Sequence, residues 1–169
     1  MLQYDQKQLS EVNMISISIP GWGDLDIEYL VVDYNGTCAY DGKMKETARE
    51  MLQKISRYIK VFIVTSDSYG NIDQEGNTID FSIIKVGKED SGKDKGKIIR
   101  ELGPEKIVAI GNGANDAAML REAALGIGVI GEEGLATALV KDADIIVKDI
   151  VDALGVILHP ERLLATLRD

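Results

Sequence analysis

The sequence has few of the residues that form disulfides or zinc sites. It contains one cysteine, Cys38, and one histidine, His159, among 169 residues. A single cysteine cannot form an internal disulfide, and zinc sites are usually built from clusters of cysteine and histidine. A bound metal is therefore expected to be a hard cation held by oxygen ligands.

Long apolar runs and an excess of positive charge are also missing. No run approaches the roughly 20 apolar residues that cross a bilayer, and the first residues lack the basic-then-apolar pattern of a secretory signal. The formal net charge of -9 would repel nucleic acids and anionic membranes. We therefore expect a cytoplasmic protein with no nucleic-acid or membrane partner, acting on a small molecule.

Alternating strands and helices are predicted along most of the chain, and the 45% hydrophobic content suffices for one core. Strands are predicted at residues 14–19, 27–32, 61–64, 79–86, 107–110, 125–130 and 143–147, and helices at 44–59, 95–102, from 115 onward, 150–158 and 161–167. The mixed-charge residues 88–97 are interpreted as a solvated loop leading into the second helix. This pattern predicts an α/β fold, a mainly parallel sheet with helices on both faces. Residues 1–13 are interpreted as a polar leader, a candidate for disorder, and residues 14–169 as a single domain.

Polar residues directly follow several of these predicted strands. Asp33 follows the strand at 27–32, while Thr65 and Ser66 follow the strand at 61–64. Residues 111–116, which read Gly-Asn-Gly-Ala-Asn-Asp, follow the strand at 107–110, and Lys95 opens the helix before that strand. In a parallel sheet the ligand crevice lies beyond the carboxyl ends of the strands. We therefore expect these four features to meet in one site.

In chain order the four motifs are residues 33–37, residues 65 and 66, Lys95, and residues 111–116. Their order and spacing resemble the signature motifs of the haloacid dehalogenase superfamily. The resemblance covers residues 29–119 and implies a three-layer, Rossmann-like domain with phosphatase activity. Residues 115–120, Asn-Asp-Ala-Ala-Met-Leu, are similar to the hinge motif of P-type ATPases, so the chain looks like a soluble relative of their phosphorylation domain. Residues 38–64 already hold a predicted helix and strand, which implies that no cap domain is inserted there.

The resemblance gives the first motif a catalytic role. Asp33 would attack phosphorus and form an aspartyl phosphate, which divides a difficult displacement into two easier steps. Gly36 and Thr37 would form a turn whose backbone N–H groups face the phosphoryl oxygens. Because Asp33 could also simply cap a turn, its assignment depends on the three companion motifs.

The other motifs would stabilise the transferring phosphoryl group. The resemblance assigns a hydrogen-bond donor to Thr65, with Ser66 as the alternative. It assigns the stabilising positive charge to Lys95, with Lys97 as the alternative. Asn115 is assigned to substrate binding.

A magnesium ion is the implied cofactor. In the family the metal is held by the nucleophile, by the backbone carbonyl two residues later and by an acid of the fourth motif. Here these would be Asp33, the carbonyl of Asn35, and Asn112, while Asp116 would hold metal-bound water or the loop. Oxygen ligands of this kind suit a hard cation.

Two positions depart from the family pattern. Most family phosphatases have an aspartate where this chain has Asn35, and an amide cannot give or take a proton at neutral pH. Loss of general acid catalysis should fall hardest on alkyl phosphates and less on acyl phosphates, phosphoanhydrides and aryl phosphates. Asn112 stands where a metal-binding aspartate is usual, which predicts a modest affinity for magnesium.

Two further expectations follow from these departures and from the absence of a cap. A protein with a phosphate site but no turnover, acting as a sensor or regulatory partner, is the alternative to an enzyme. An open site accepts a bulky phosphorylated substrate or is closed by a neighbouring subunit, so we expect a homo-oligomer.

Overall fold

A parallel β-sheet covered by helices organises this α/β chain, for which a computed structural model describes residues 13–66 and 81–169. The strands of these residues are Ile15–Ile19 (β1), Gly23–Ile27 (β2), Tyr29–Asp33 (β3), Ala39–Tyr40 (β4), Lys43–Met44 (β5), Lys60–Thr65 (β6), Ser82–Lys85 (β7), Ile107–Gly111 (β8), Leu125–Val129 (β9) and Ile145–Val147 (β10). Their α-helices are Glu46–Ile55 (α1), Ser91–Leu102 (α2), Ala117–Glu122 (α3), Ile150–Leu158 (α4) and Glu161–Leu167 (α5), with 3₁₀ turns at Pro104–Lys106, Ala114–Asp116 and Thr137–Lys141.

The main sheet has the strand order β10-β9-β8-β3-β6-β7, and every neighbouring pair is parallel. After β3 the chain adds β6 and β7 on one side and then crosses to β8 on the other side. The strand order therefore reverses between β3 and β8, which is where ligands bind in open α/β sheets. Asp33 is the last residue of β3 and lies at this point.

Apolar side chains cover both faces of the central strand. Leu30 and Val32 belong to a large cluster that includes Leu52 of α1 and Leu154 of α4, whereas Val31 packs in a second cluster with Ile99 of α2. Successive side chains of a strand point to opposite faces of the sheet, which explains this alternation. The three-layer fold predicted from the sequence is confirmed.

The single strand predicted at residues 27–32 is wrong at its start. Ile27 ends β2, which pairs in antiparallel fashion with β1, and β3 begins only at Tyr29. Between the two strands, the N–H of Glu28 donates to the carbonyl of Lys106, and its carbonyl accepts from the N–H of Lys60. The apolar run hid this change because alternation of residue type does not reveal which strand a segment pairs with.

Helix boundaries also differ from the prediction. Helix α2 begins at Ser91, so the mixed-charge segment 88–97 is a loop only over its first residues. Met44 lies in β5 rather than in the first helix, and the helix expected near Asn115 begins at Ala117 after a 3₁₀ turn. Helices α4 and α5 have the predicted bounds. Residues 1–12, 79 and 80, for which a leader and the start of a strand are predicted, lie outside the described residues.

The segment between the first two motifs is short and fully accounted for. Between Thr37 and Thr65 the chain forms only β4, β5, α1 and β6, so no cap domain is inserted after the first motif. A cap domain can also be inserted after the strand of the second motif, here β6, but residues 67–80, which follow that strand, lie outside the described part. Within residues 13–66 and 81–169, none of the helices has the length and apolar character that a membrane span requires. The cytoplasmic location stays a prediction.

Candidate active site

A buried lysine joins two buried aspartates at the carboxyl end of the sheet. Lys95 projects from α2, and its Nζ lies 2.5 Å from Oδ1 of Asp33 and 2.6 Å from Oδ1 of Asp116. The exposed fractions of Asp33, Lys95 and Asp116 are 7%, 1% and 0%. The site therefore contains a desolvated ammonium group shared by two carboxylates, as the sequence predicted for Asp33 and Lys95.

Asp116 closes the loop that follows β8. Its Oδ2 accepts hydrogen bonds from the backbone N–H groups of Asn112, at 3.0 Å, and Gly113, at 2.9 Å. A β-carbon on Gly111 would lie 2.5 Å from Cγ of Asp116, so this approach requires glycine. Because both oxygens of Asp116 are engaged, this side chain holds the loop and orients Lys95.

Burial and the attraction between Asp33 and Lys95 act in opposite directions on the pKa of each group. The pKa of Asp33 is raised to about 7, because burial and the nearby Asp116 raise it by more than Lys95 and Thr37 lower it. Burial acts to lower the pKa of Lys95, but the carboxylates of Asp33 and Asp116 outweigh burial and the pKa is raised. Lys95 therefore remains an ammonium group at neutral pH.

Thr37 connects the first motif to the fourth. Its Oγ1 is 3.2 Å from Oδ2 of Asp33 and 3.1 Å from Oδ1 of Asn112, and its single proton can be donated to only one of them at a time. The Nδ2 of Asn112 donates to the carbonyl of Gly134 at 3.0 Å. The amide of Asn112 thus connects the turn after β3 with a loop after β9.

The turn after β3 requires glycine at its third position. Gly36 has a φ of +76°, a backbone conformation that favours glycine. Its N–H donates to the carbonyl of Ala39 at 2.9 Å, so it is not available to a phosphoryl oxygen. The N–H groups of Asn35 and Thr37 have no hydrogen-bond acceptor among the described residues and remain candidates for that role.

Thr65, the last residue of β6, lies at the site. Thr65 is buried, and its Oγ1 accepts a hydrogen bond from Nδ2 of Asn35 at 3.5 Å. Ser66 follows the strand and is half-buried. This geometry favours Thr65 over Ser66 as the hydroxyl nearest to the first motif.

The two candidate lysines of the third motif differ clearly. Lys97 is half-exposed and its Nζ lies 3.7 Å from Glu101 on the surface of α2, whereas Lys95 reaches Asp33. Asn115, predicted to bind substrate, donates from Nδ2 to Oγ of Ser91 at 3.2 Å and so joins the fourth motif to the start of α2. The structure shows no hydrogen bond between Asn115 and Asp33 within the described part of the chain.

The oxygen donors at the site fit a hard cation that keeps much of its water. Among residues 13–66 and 81–169 there is no group of three or more His, Cys, Asp or Glu side chains able to hold a metal. The donors near Asp33 are its own carboxylate, Oδ1 of Asn112 and the carbonyl of Asn35, which receives no hydrogen bond from the described residues. Magnesium is commonly bound by one or two carboxylates and several waters, so this set suits magnesium and not zinc.

Glu133 is a further acid near the site that the sequence did not single out. It lies on the turn after β9, and its Oε2 is 2.6 Å from the point where a β-carbon on Gly36 would sit. Its position just beyond the carboxyl end of a buried strand is the signal that sequence reasoning could have used.

Residues 5–124 match the model of the haloacid dehalogenase-like hydrolase family. This match spans more than half of the chain and includes all four motif segments described above. The chain belongs to this family. The prediction of an enzyme of the haloacid dehalogenase type, a hydrolase, is confirmed.

Two curated proteins share shorter stretches with this haloacid dehalogenase-like hydrolase. Uncharacterized protein MJ0073 of Methanocaldococcus jannaschii is 48% identical over 93 residues, which are 51% of this chain and 100% of that protein. The phospholipid-transporting ATPase tat-1 of Caenorhabditis elegans is 46% identical over 46 residues, which are 27% of this chain and 4% of that protein. The match to this transport ATPase covers only a short segment of either protein.

Solved structures share the fold of the hydrolase. A 3-deoxy-D-manno-octulosonate 8-phosphate phosphatase from Moraxella catarrhalis, in complex with magnesium, phosphate and the sugar acid, has a TM-score of 0.65 at 19% identity and covers 84% of this chain and 94% of its own. The cobalt-bound phosphatase from Haemophilus influenzae has a TM-score of 0.66 at 11% identity, covering 85% and 94%. At these identities the likeness establishes the fold alone.

Proposed function

We propose that this hydrolase is a magnesium-dependent phosphohydrolase that acts through an aspartyl phosphate on Asp33. The observation that carries the proposal is the buried Asp33–Lys95–Asp116 cluster at the carboxyl end of the central strand. A buried ammonium group beside a nucleophilic carboxylate is suited to a reaction in which negative charge spreads over phosphoryl oxygens. The phosphatases among the solved neighbours support the same reaction class.

The proposed reaction has two displacements at phosphorus. An oxygen of Asp33 forms a bond to phosphorus while the bond to the leaving oxygen breaks, and the leaving group departs with that electron pair. Water then attacks phosphorus while the bond between phosphorus and the Asp33 oxygen breaks, the protons of the water pass to the phosphate and to solvent, and the carboxylate of Asp33 is restored. Lys95 stays in contact with Asp33 throughout and stabilises the oxygens that gain charge.

Polar groups of the two adjoining strand ends would orient the phosphoryl group. The hydroxyls of Thr37 and Thr65 and the N–H groups of Asn35 and Thr37 are the donors on that side. Asp33, the carbonyl of Asn35, and Asn112 would hold magnesium, which supplies charge neutralisation and orientation of the phosphate when bound.

The leaving group is proposed to be a good one. Asn35 offers an amide where an acid would protonate the leaving oxygen, and Nδ2 of Asn35 points to Thr65. The leaving groups of acyl phosphates, phosphoanhydrides and aryl phosphates depart without much protonation, whereas the alkoxide of an alkyl phosphate needs it. The proposed substrates are therefore small phosphorylated molecules of the first three kinds.

A homo-oligomer remains part of this proposal. No cap domain is inserted between Thr37 and Thr65, so a second subunit is the proposed cover of the site. Light scattering at micromolar concentration should show an oligomer, and a monomer alone would remove this element without affecting the chemistry.

The experiment that tests the function measures phosphate release from acetyl phosphate and p-nitrophenyl phosphate with and without magnesium. The wild type should release phosphate only with magnesium, and Asp33→Asn should release none. Asp26→Asn serves as a control, because Asp26 is exposed on β2 and accepts a hydrogen bond only from Ser16 within the described residues. This control should keep the wild-type rate.

The alternative is a phosphate-binding regulatory protein without turnover, favoured by the amides at Asn35 and Asn112. It predicts that phosphate or a phosphorylated ligand raises the melting temperature while no phosphate is released from any substrate. Release of phosphate that disappears in Asp33→Asn would exclude this alternative.

A further inference from the structure

The turn at residues 131–134, Gly-Glu-Glu-Gly, borders the site and is called the acidic turn here. It follows β9, so it lies beyond the same edge of the sheet as Asp33. Gly131 and Gly134 have φ values of +59° and +83°, which allow the chain to bend sharply at both ends. The N–H of Gly131 donates to the carbonyl of Lys148 at 2.7 Å and anchors the start of the turn.

The two glutamates of the acidic turn have different surroundings. Glu132 forms an ion pair with Lys45, with Oε1 and Nζ 2.9 Å apart. Glu133 has no ion-pair or hydrogen-bond partner among residues 13–66 and 81–169. A carboxylate without a protein partner at the rim of a site is available to a cation.

Glu133 faces the same small space as the amide of Asn112. The point where a β-carbon on Gly36 would sit is 2.6 Å from Oε2 of Glu133, 2.7 Å from Nδ2 of Asn112 and 3.0 Å from its Oδ1. Gly36 directly follows Asn35, whose carbonyl is a candidate metal ligand. Polar atoms of the acidic turn and of Asn112, in the loop after β8, therefore converge beside Gly36 of the first motif.

The amide of Asn112 holds the acidic turn in place. Nδ2 donates to the carbonyl of Gly134 at 3.0 Å, and the backbone carbonyl of Asn112 accepts from the N–H of Ala136 at 2.9 Å. An aspartate at position 112 could not donate to Gly134, because a carboxylate has only acceptors. The amide thus does what the usual acid could not do, and it does so next to Glu133.

The buried cluster offers little uncompensated negative charge to a bound cation, so the site could use one more carboxylate. Both oxygens of Asp116 accept hydrogen bonds, one from Lys95 and the other from two backbone N–H groups, and Asp33 is also paired with Lys95. A divalent cation at Asp33 would otherwise meet one partly neutralised carboxylate. Magnesium sites commonly use one or two carboxylates together with water.

We propose that Glu133 is the second carboxylate of the magnesium site, contacting the ion or its bound water, and that Asn112 positions the turn that carries it. The negative charge usual at the end of β8 is thereby supplied from the loop after β9. This inference rests on the proposed function, because it concerns the metal of the same site.

The test is calorimetric titration of magnesium alone into the metal-free protein. Glu133→Gln should weaken magnesium binding by roughly 10- to 100-fold, the range seen when a group supporting a metal site is removed. Glu132→Gln is the matched control and should bind within about twofold of wild type, because Glu132 pairs with Lys45. Equal magnesium affinity in Glu133→Gln and wild type would overturn the inference.

A second variant tests whether the charge has been relocated. Asn112→Asp, made in the Glu133→Gln background, should regain most of the lost magnesium affinity because a carboxylate then replaces the amide oxygen. No gain in affinity would count against the proposal. Thermal melting of each variant verifies folding, and Glu133 is exposed, so its substitution should leave the melting temperature nearly unchanged.

The inference and the function fail in distinguishable ways. If wild type releases phosphate with magnesium and Glu133→Gln binds magnesium equally well, the role of Glu133 is wrong and the function stands. If wild type neither binds magnesium nor releases phosphate, both are wrong.

Discussion

Nζ of Lys95 lies 2.5 Å from Oδ1 of Asp33, although 62 residues separate them in the chain. Lys95 projects from α2, which packs on the opposite face of the sheet from α1 and α4, and its ammonium group reaches the end of β3. The same ammonium group contacts Asp116, so one side chain neutralises two buried carboxylates. Stability and chemistry therefore depend on the same contact.

Lys95→Met should destabilise the metal-free protein strongly. The substitution replaces the four-carbon stem with one of similar size but removes the ammonium group, which leaves Asp33 and Asp116 buried without a cation. Removing one partner of a buried ion pair costs about 3–5 kcal/mol, and urea unfolding measures this loss. Lys97→Met is the control and should change the free energy of unfolding by less than about 1 kcal/mol. Equal stability of the two variants would contradict the assigned contact.

Asp33→Asn should change how stability depends on pH in protein treated with a chelator. The pKa of Asp33 is raised from its ordinary 3.8 to about 7 in the fold, so between these values the folded state binds more protons than the unfolded state. Its contribution to stability therefore falls as pH rises through this window. Asparagine does not titrate, so the stability of Asp33→Asn lacks this decrease. As the pH rises from 4 to 7, the variant should therefore become more stable relative to wild type. A constant difference across that range would show that Asp33 is not desolvated as described.

Asn35→Asp should widen the range of leaving groups. A carboxyl at this position can protonate the leaving oxygen, and general acid catalysis is worth roughly 10²- to 10⁴-fold. Turnover of an alkyl phosphate such as glycerol phosphate should rise by up to this factor, while turnover of acetyl phosphate should change much less. The ratio of the two kcat/KM values is the measurement. An unchanged ratio would mean that Asn35 does not face the leaving group.

Gly36→Ala should impair the site more than its backbone strain alone explains. The φ of +76° and the 2.6 Å approach to Glu133 both oppose a β-carbon. A left-handed backbone costs about 1–2 kcal/mol for a residue with a β-carbon, and crowding should additionally displace Glu133 or Asn112. Gly23→Ala is the control, since Gly23 also has positive φ but nothing lies within 4 Å of its β-carbon position. Magnesium affinity should fall only in Gly36→Ala, and an equal effect in both variants would remove the argument from crowding.

The sequence predicted the main elements of the site because they are local to strand ends. Asp33, Thr65 and Asp116 each follow an apolar strand, and parallel strands bring their carboxyl ends to one edge. The sequence leaves both Lys95 and Lys97 as candidates for the lysine of the third motif, because it does not show which face of α2 packs against the sheet. In the structure Lys95 is buried and contacts Asp33, whereas Lys97 lies at the surface.

Other features depend on tertiary placement that the sequence does not display. Glu133 reaches Gly36 only because β9 lies next to β8, and strand order cannot be read from apolar runs. The break at Glu28 was missed because Ile27 and Tyr29 are both apolar neighbours that belong to different sheets. The early start of α2 at Ser91 was hidden because its first turn is polar and exposed on one side.

The most direct measurement is the trapping of a phosphoryl group on Asp33. The wild type, mixed with acetyl phosphate and magnesium and quenched in acid within the first turnovers, should yield a peptide containing Asp33 that is heavier by one phosphoryl group in mass spectrometry. Reduction with borohydride should mark that aspartate alone, and Asp33→Asn should give no labelled peptide. Phosphate release at an undiminished rate from Asp33→Asn, or a phosphoryl group found on another side chain, would contradict the account.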